Sequence, residues 1–198
     1  MSEVAHHDVH ESTGVENRKL GMWFFLSSEL HFFGALISNY LLFQCQVPPT
    51  DPLHPVQFYD IPFTSISSFV LLMSSLTMVL AHHALHEGDQ RSARTWLFTT
   101  AGLGLTFLAG QFFEFSEFVI KGASLGALPV WSSFFVLTGF HGAHVFLGVV
   151  MLLTLFATSL RNGELSEAQG LNVELVGLYW HFVDIIWIVI FTIIYLIP

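Results

Sequence analysis

The chain has 198 residues, 53% hydrophobic and 11% charged, with six Lys plus Arg and a formal net charge of −9. So little charge cannot cover the surface of a water-soluble domain, in which about a quarter of residues are charged. No basic patch exists, which excludes nucleic acid as a partner, and the composition specifies an all-α polytopic membrane protein. Residues 1–17 carry His6, His7, His10 and four carboxylates without an apolar core. They lack the basic-then-apolar pattern of a signal peptide and read as a disordered acidic, His-rich tail.

A single domain, residues 18–198, follows with five predicted spans, at about 20–46, 63–85, 96–120, 130–160 and 174–197. Each exceeds the ~20 residues that cross ~30 Å of hydrocarbon. Arg18 and Lys19 open the first span. A loop over 47–62 holds Pro48, Pro49, Pro52, Pro55 and Pro62 and cannot be helical. Polar segments at 86–94 and 161–172 and a Gly-containing turn at 121–129 make the other connections. Trp23, Trp96, Trp131 and Tyr195 fall near span ends and read as interface anchors, and the many Phe as lipid-facing and packing surface. The single cysteine, Cys45, excludes an internal disulfide.

Arg18, Lys19, Arg91, Arg94 and Arg161 fall on one side of a five-span topology, and Lys121 alone on the other. The positive-inside bias predicts a cytoplasmic N-terminus and an outside C-terminus.

Ionisable residues inside spans are costly unless they face protein or water. At ~1.5 Å per residue, Glu29, His141, His144, His181 and Asp184 fall at similar depth and are expected to meet in one layer if their helices are neighbours. Metal ligation is disfavoured, because no Glu-x-x-His motif occurs and His82, His83 and His86 sit at another level. Bis-imidazole haem binding by His144 and His181 is geometrically open. The simpler reading is that the histidines join helices, with Gly139, Gly142 and Gly148 allowing close approach. A place near a proton path is the rival for Glu29 and Asp184, and helix pairing or headgroup contact is expected of Glu114 and Glu117. No nucleophile motif and no phosphate loop is present, and no span is broken at mid-membrane as in a transporter.

Three long motifs resemble subunit III of the haem–copper oxidases, above all of cytochrome c oxidase. They are Gly21-Met-Trp-Phe-Phe-Leu-Ser-Ser-Glu29-Leu-His-Phe-Phe33, then Gly110-Gln111-Phe-Phe-Glu114-Phe with Phe135-Val-Leu-Thr-Gly-Phe-His141-Gly-Ala-His144-Val-Phe-Leu-Gly148, and Tyr179-Trp-His181-Phe-Val-Asp184-Ile-Ile-Trp187. The resemblance covers about residues 18–198 and matches the last five helices of seven-helix members. It implies a non-catalytic subunit without a cofactor of its own, with haems and copper in subunits I and II. It implies packing on subunit I, bound phospholipid, and support of proton uptake and of stability during O2 reduction. A subunit IV and a respiratory supercomplex are further partners it allows. Glu29 matches the family's buried, proton-uptake-related carboxylate. His141, His144, His181, Asp184, Gln111 and Glu114 match its inter-helix polar network. The short form is similar to bacterial enzymes, which implies the cytoplasmic membrane. Quinol oxidases are the alternative and often carry Asp at position 29, so Glu29 favours the cytochrome c type. A stand-alone membrane metal or haem oxidoreductase is the more distant reading.

Overall fold

A computed structural model describes residues 17–48, 50–162 and 167–197. The expected tail therefore lies outside the described residues, apart from Asn17, which is helical. Five helices are long and apolar enough to cross a membrane, and no strand occurs among the described residues. They are α1 (Asn17–Gln44), α2 (Ile61–His86), α3 (Gln90–Ile120), α4 (Pro129–Asn162) and α5 (Glu167–Phe191). A π-helical turn, Thr192–Leu196, extends α5.

Local chemistry moves the helix starts outward from the predicted ones. α3 begins at Gln90 rather than at Trp96. The Asp89 carboxylate caps it by accepting from Ser92 N at 3.1 Å and Ser92 Oγ at 2.6 Å. α2 begins at Ile61 because Asp60 accepts from Phe63 N at 3.1 Å. Pro62 fits that first turn, where no N–H is needed. α5 begins at Glu167 rather than at about 174, inside the expected polar loop. Asn172 in its early turns accepts from Arg18 at 2.6 Å. Both ends of the turn 86–90 follow one logic: Gly88 takes φ +77°, letting Asp89 N reach back to Ala84 O at 2.9 Å and close α2.

Helices α2, α3, α4 and α5 pack as a ring of neighbours, and α1 lies outside it against α4 and α5. The ring closes around Trp180, which is fully buried. Its indole N–H donates to Ser74 Oγ on α2 at 2.9 Å. Its ring lies where a Cβ on Gly104 of α3 or Gly148 of α4 would sit, at 2.6 and 2.7 Å. Two glycines thus open the slot that one tryptophan fills. Gly142 makes a similar approach, with Gln111 Oε1 2.7 Å from its Cβ position, whereas Gly139 has nothing within 4 Å.

The Pro-rich segment folds over one end of the bundle and contains a short 3-10 turn, Pro55–Gln57. Leu53 O accepts from Trp131 Nε1 at 2.9 Å, and the Phe58 ring meets Trp131 edge-on at 5.0 Å. The Tyr59 hydroxyl pairs with that of Tyr40 at 2.8 Å, and the Tyr59 ring lies 4.5 Å from that of Tyr195. Trp131 and Tyr195, expected as interface anchors, are therefore core residues, 0% and 5% exposed. The loop covers the surface that would have met lipid headgroups. Trp23 remains exposed. The Phe residues divide likewise: Phe33, Phe107, Phe118 and Phe134 are buried, while Phe24 and Phe112 face outward.

The helix starts and ends gather the cations. Arg18 and Lys19 at the start of α1, Arg91 and Arg94 at the start of α3, and Arg161 at the end of α4 share one end of the bundle. Lys19 Nζ bonds Glu174 at 2.7 Å, and Arg94 Nε donates to Ser159 Oγ at 2.6 Å, tying that end together. Lys121 lies at the opposite end, paired with Glu117 at 2.6 Å.

Candidate functional site

The predicted layer of ionisable groups resolves into separate pairings, each bridging two helices. Glu29 of α1 and His144 of α4 form one. Glu29 Oε2 lies 3.3 Å from His144 Nε2, with both side chains less than a fifth exposed. His144 Nδ1 lies 2.7 Å from Phe140 O, which can only accept, so Nδ1 carries a proton. Nε2 then faces Glu29 Oε2, and the contact joins α1 to α4. Tyr179 of α5 donates to the His144 carbonyl at 3.1 Å, and the Phe33 ring meets His144 edge-on at 5.1 Å. Three helices thereby hold this imidazole in place.

His181 of α5 takes a different partner, with its Nδ1 2.6 Å from Ser75 Oγ on α2. It lines a cleft of about 160 Å³ between α2 and α5, together with Met78, His82 and Glu174. Glu174 is the residue paired with Lys19, so the cleft opens toward the cation-rich end. Asp184 lies one turn deeper on α5 and is 3% exposed. Neither of its oxygens accepts a hydrogen bond from the chain.

Nearer the other end, Glu114 of α3 accepts from Thr64 Oγ1 of α2 at 2.8 Å. Gln111 Nε2 donates to Thr138 O of α4 at 2.8 Å. Both join neighbouring helices.

His141 departs from the expected network. It is fully buried, and neither ring nitrogen has a hydrogen-bond partner. Its helix face turns it toward aromatic rings: it stacks on Trp187 at 4.9 Å and meets the Phe107 edge at 5.9 Å. Asp184 departs too: it lies beside the Ser75 hydroxyl of α2, which bonds His181, but neither of its oxygens is within hydrogen-bond distance of a partner. Of the five residues expected in one layer, only Glu29 and His144 make direct polar contact with each other. Among the described residues, no three His, Cys, Asp or Glu side chains group as metal ligands.

Sequence reasoning passed over the hydroxyl partners on α2. Ser68 Oγ accepts from Trp187 Nε1 at 2.8 Å, and Thr77 pairs with Thr100 of α3 at 2.8 Å. With Thr64, Ser74 and Ser75 they form a ladder along α2. Its signal was present: in Ile61-Pro-Phe-Thr-Ser-Ile-Ser-Ser-Phe-Val-Leu-Leu-Met-Ser-Ser-Leu-Thr77 hydroxyls recur at helical spacing within an apolar run.

Comparison with known proteins bears on what this scaffold serves. Residues 1–197 match the family model described as Cytochrome c oxidase subunit III. The chain is 33% identical over 195 residues to the probable quinol oxidase subunit 3 of Staphylococcus saprophyticus, covering 95% of this chain and 96% of that one. It is similar at 33% and 32% identity, with the same coverage, to proteins of that name from Staphylococcus haemolyticus and Staphylococcus aureus strain USA300.

Proposed function

The chain belongs to the cytochrome c oxidase subunit III family, that is, to the haem–copper oxidase subunit III proteins, and from that premise we propose that it serves a quinol-fed terminal oxidase. Membership of the family carries association with subunits I and II of a respiratory oxidase complex and a multi-pass membrane location. The observation behind the quinol reading is the similarity, over 95% of the chain, to proteins named probable quinol oxidase subunit 3. The cytochrome c reading has one observation in its favour, Glu29 in place of the Asp that quinol types often carry.

In this proposal the haems and copper reside in the partner subunits. The chain packs on subunit I and binds phospholipid, and Glu29, held against His144, supports proton uptake by the neighbouring subunit. The N-terminus is cytoplasmic, because five of the six cations gather at the end where α1 starts. The cytoplasmic membrane of a bacterium is the matching location, and a subunit IV or a supercomplex would be additional company.

Purification of the complex in mild detergent through a tag on this chain tests the reading. A haem spectrum and O2 uptake driven by a reduced quinol, with none from reduced cytochrome c, are expected. The reverse donor preference selects the cytochrome c type. A stoichiometric metal or haem in the separated subunit would sink the cofactor-free assignment.

A further inference from the structure

The histidines within the bundle differ in what their ring nitrogens do. In His31 and His144 one nitrogen lies 2.7 Å from a backbone oxygen, and in His181 one lies 2.6 Å from Ser75. His141 is sealed among aromatic rings. His82 and His86 of α2 follow neither pattern. Four residues apart, they share one helix face, and their ring centroids lie 4.6 Å apart. Among the described residues no hydrogen bond holds a nitrogen of either ring. His86 is the last residue of α2 and is exposed, and His82 is half-buried one turn deeper. Both rings therefore open to the cation-rich end of the bundle.

A carboxylate enters the same space from α5. His82 lines the small cleft between α2 and α5 together with Glu174. Lys19 bonds Glu174 Oε1 at 2.7 Å, and a carboxylate has a second oxygen to give. Two imidazoles in His-x-x-x-His spacing on a helix are the grip that holds zinc in helical metal sites. Imidazole suits Zn²⁺, Cu²⁺ and Ni²⁺, whereas Mg²⁺ and Ca²⁺ take oxygen ligands. The donors here thus select a divalent transition metal over the abundant hard cations.

We propose that His82, His86 and Glu174 bind one divalent transition-metal ion, with water completing its shell. The three side chains do not group as a ligand set before the ion arrives. The ion gathers them by drawing Glu174 off Lys19, which links α2 to α5 and loosens the tie from α1. This site lies at the bundle end, away from the mid-membrane histidines. Its ion exchanges with solvent and yields to a chelator, so it is an effector and not a resident cofactor, and the chelator-treated subunit stays metal-free.

The test uses the full chain in its complex, purified through a tag without histidine and stripped with a chelator. Diethyl pyrocarbonate, which modifies free imidazole, is applied at increasing Zn²⁺, and each histidine is read by peptide mass spectrometry. Zn²⁺ is expected to protect His82 and His86 together, while the exposed neighbour His83 stays reactive and Mg²⁺ protects none of them. Loss of an outer-shell partner alone typically costs about 10–100-fold in metal affinity. Loss of a ligand, in His86→Asn or Glu174→Gln, is therefore expected to raise the Zn²⁺ that half-protects His82 by about tenfold or more. His83→Asn is expected to leave that concentration unchanged. Equal reactivity of His82 and His86 with and without Zn²⁺ overturns the proposal. Protection of His83 to the same degree, which marks diffuse surface binding, overturns it too. So does an unchanged half-protecting concentration in either His86→Asn or Glu174→Gln.

Discussion

Trp180 shows how single side chains set the spacing of this bundle. A methyl added at Gly148 would meet the Trp180 ring at 2.7 Å, and the ring has no room to retreat because Gly104 bounds it on α3. Gly148→Ala is therefore expected to destabilise the protein by about 1–3 kcal/mol, the usual cost of overpacking. Gly139→Ala, with open space at its Cβ, is expected to be neutral or slightly stabilising. Thermal unfolding of the two variants in matched detergent decides the point. The Glu29–His144 pair makes a different demand. Glu29→Gln keeps a polar group against Nε2 but removes the acid, so assembly is expected to persist while proton uptake slows modestly. Stopped-flow proton-uptake measurements on the intact oxidase check this, and loss of the complex would assign Glu29 to structure instead. The sequence made Glu29, His144 and His181 visible, because ionisable residues in apolar runs stand out. It did not show who pairs with whom. Neighbour choice depends on rotation about each helix axis, which for His141 turned the ring into an aromatic cage and for Asp184 left both oxygens without a hydrogen bond from the chain.

Helix ends and the Pro-rich segment were less legible than the spans. The apolar runs mark the five helices, but hydropathy is blind to polar first turns, so it places the starts of α3 and α5 late. Asp89 and Ser92 carried the signal for α3, as a capping pair just before the helix. The Asp89 carboxyl is held below the usual carboxylate range, first by the Ser92 hydroxyl and then by the Ser92 amide. A depressed folded-state value means that this cap stabilises fully above the ordinary carboxylate range and is lost as pH falls through the lower value. Faster amide exchange at Ser92 and Ala93 is therefore expected only at strongly acid pH, and amide exchange measured across a pH series reads it. The loop over the bundle end was the larger surprise, since Trp131 and Tyr195 looked like headgroup anchors by position. Their burial follows from contacts with Leu53, Phe58 and Tyr59, far away in sequence. Trp131→Phe keeps most of the ring packing but deletes the donor to Leu53 O. A loss of about 1 kcal/mol is expected, together with faster proteolysis within 47–60.

Taken as one body, the molecule has a polarity that can be read from outside. If the cation-rich end is cytoplasmic, the end carrying Cys45 faces outward. Cys45 is the single cysteine and is exposed. A membrane-impermeant maleimide is expected to label it in intact cells, and protection until the membrane is breached would reverse the orientation. That a lone thiol can report topology follows from composition, whereas its exposure needed the fold.

The placement of α1 also says something about how the protein comes into being. It packs chiefly on α4 and α5, and the contact from Arg18 to Asn172 spans 154 residues of chain. At ~5–20 residues per second of synthesis, about 8–30 s separate the emergence of these two residues from the ribosome. Until α4 and α5 follow, α1 stands in the bilayer without the helices it packs on, and Glu29 without its partner His144. Of the five described spans, the one made earliest is housed only after the last two have followed it, so α1 spends most of the synthesis of this bundle without the faces it packs on.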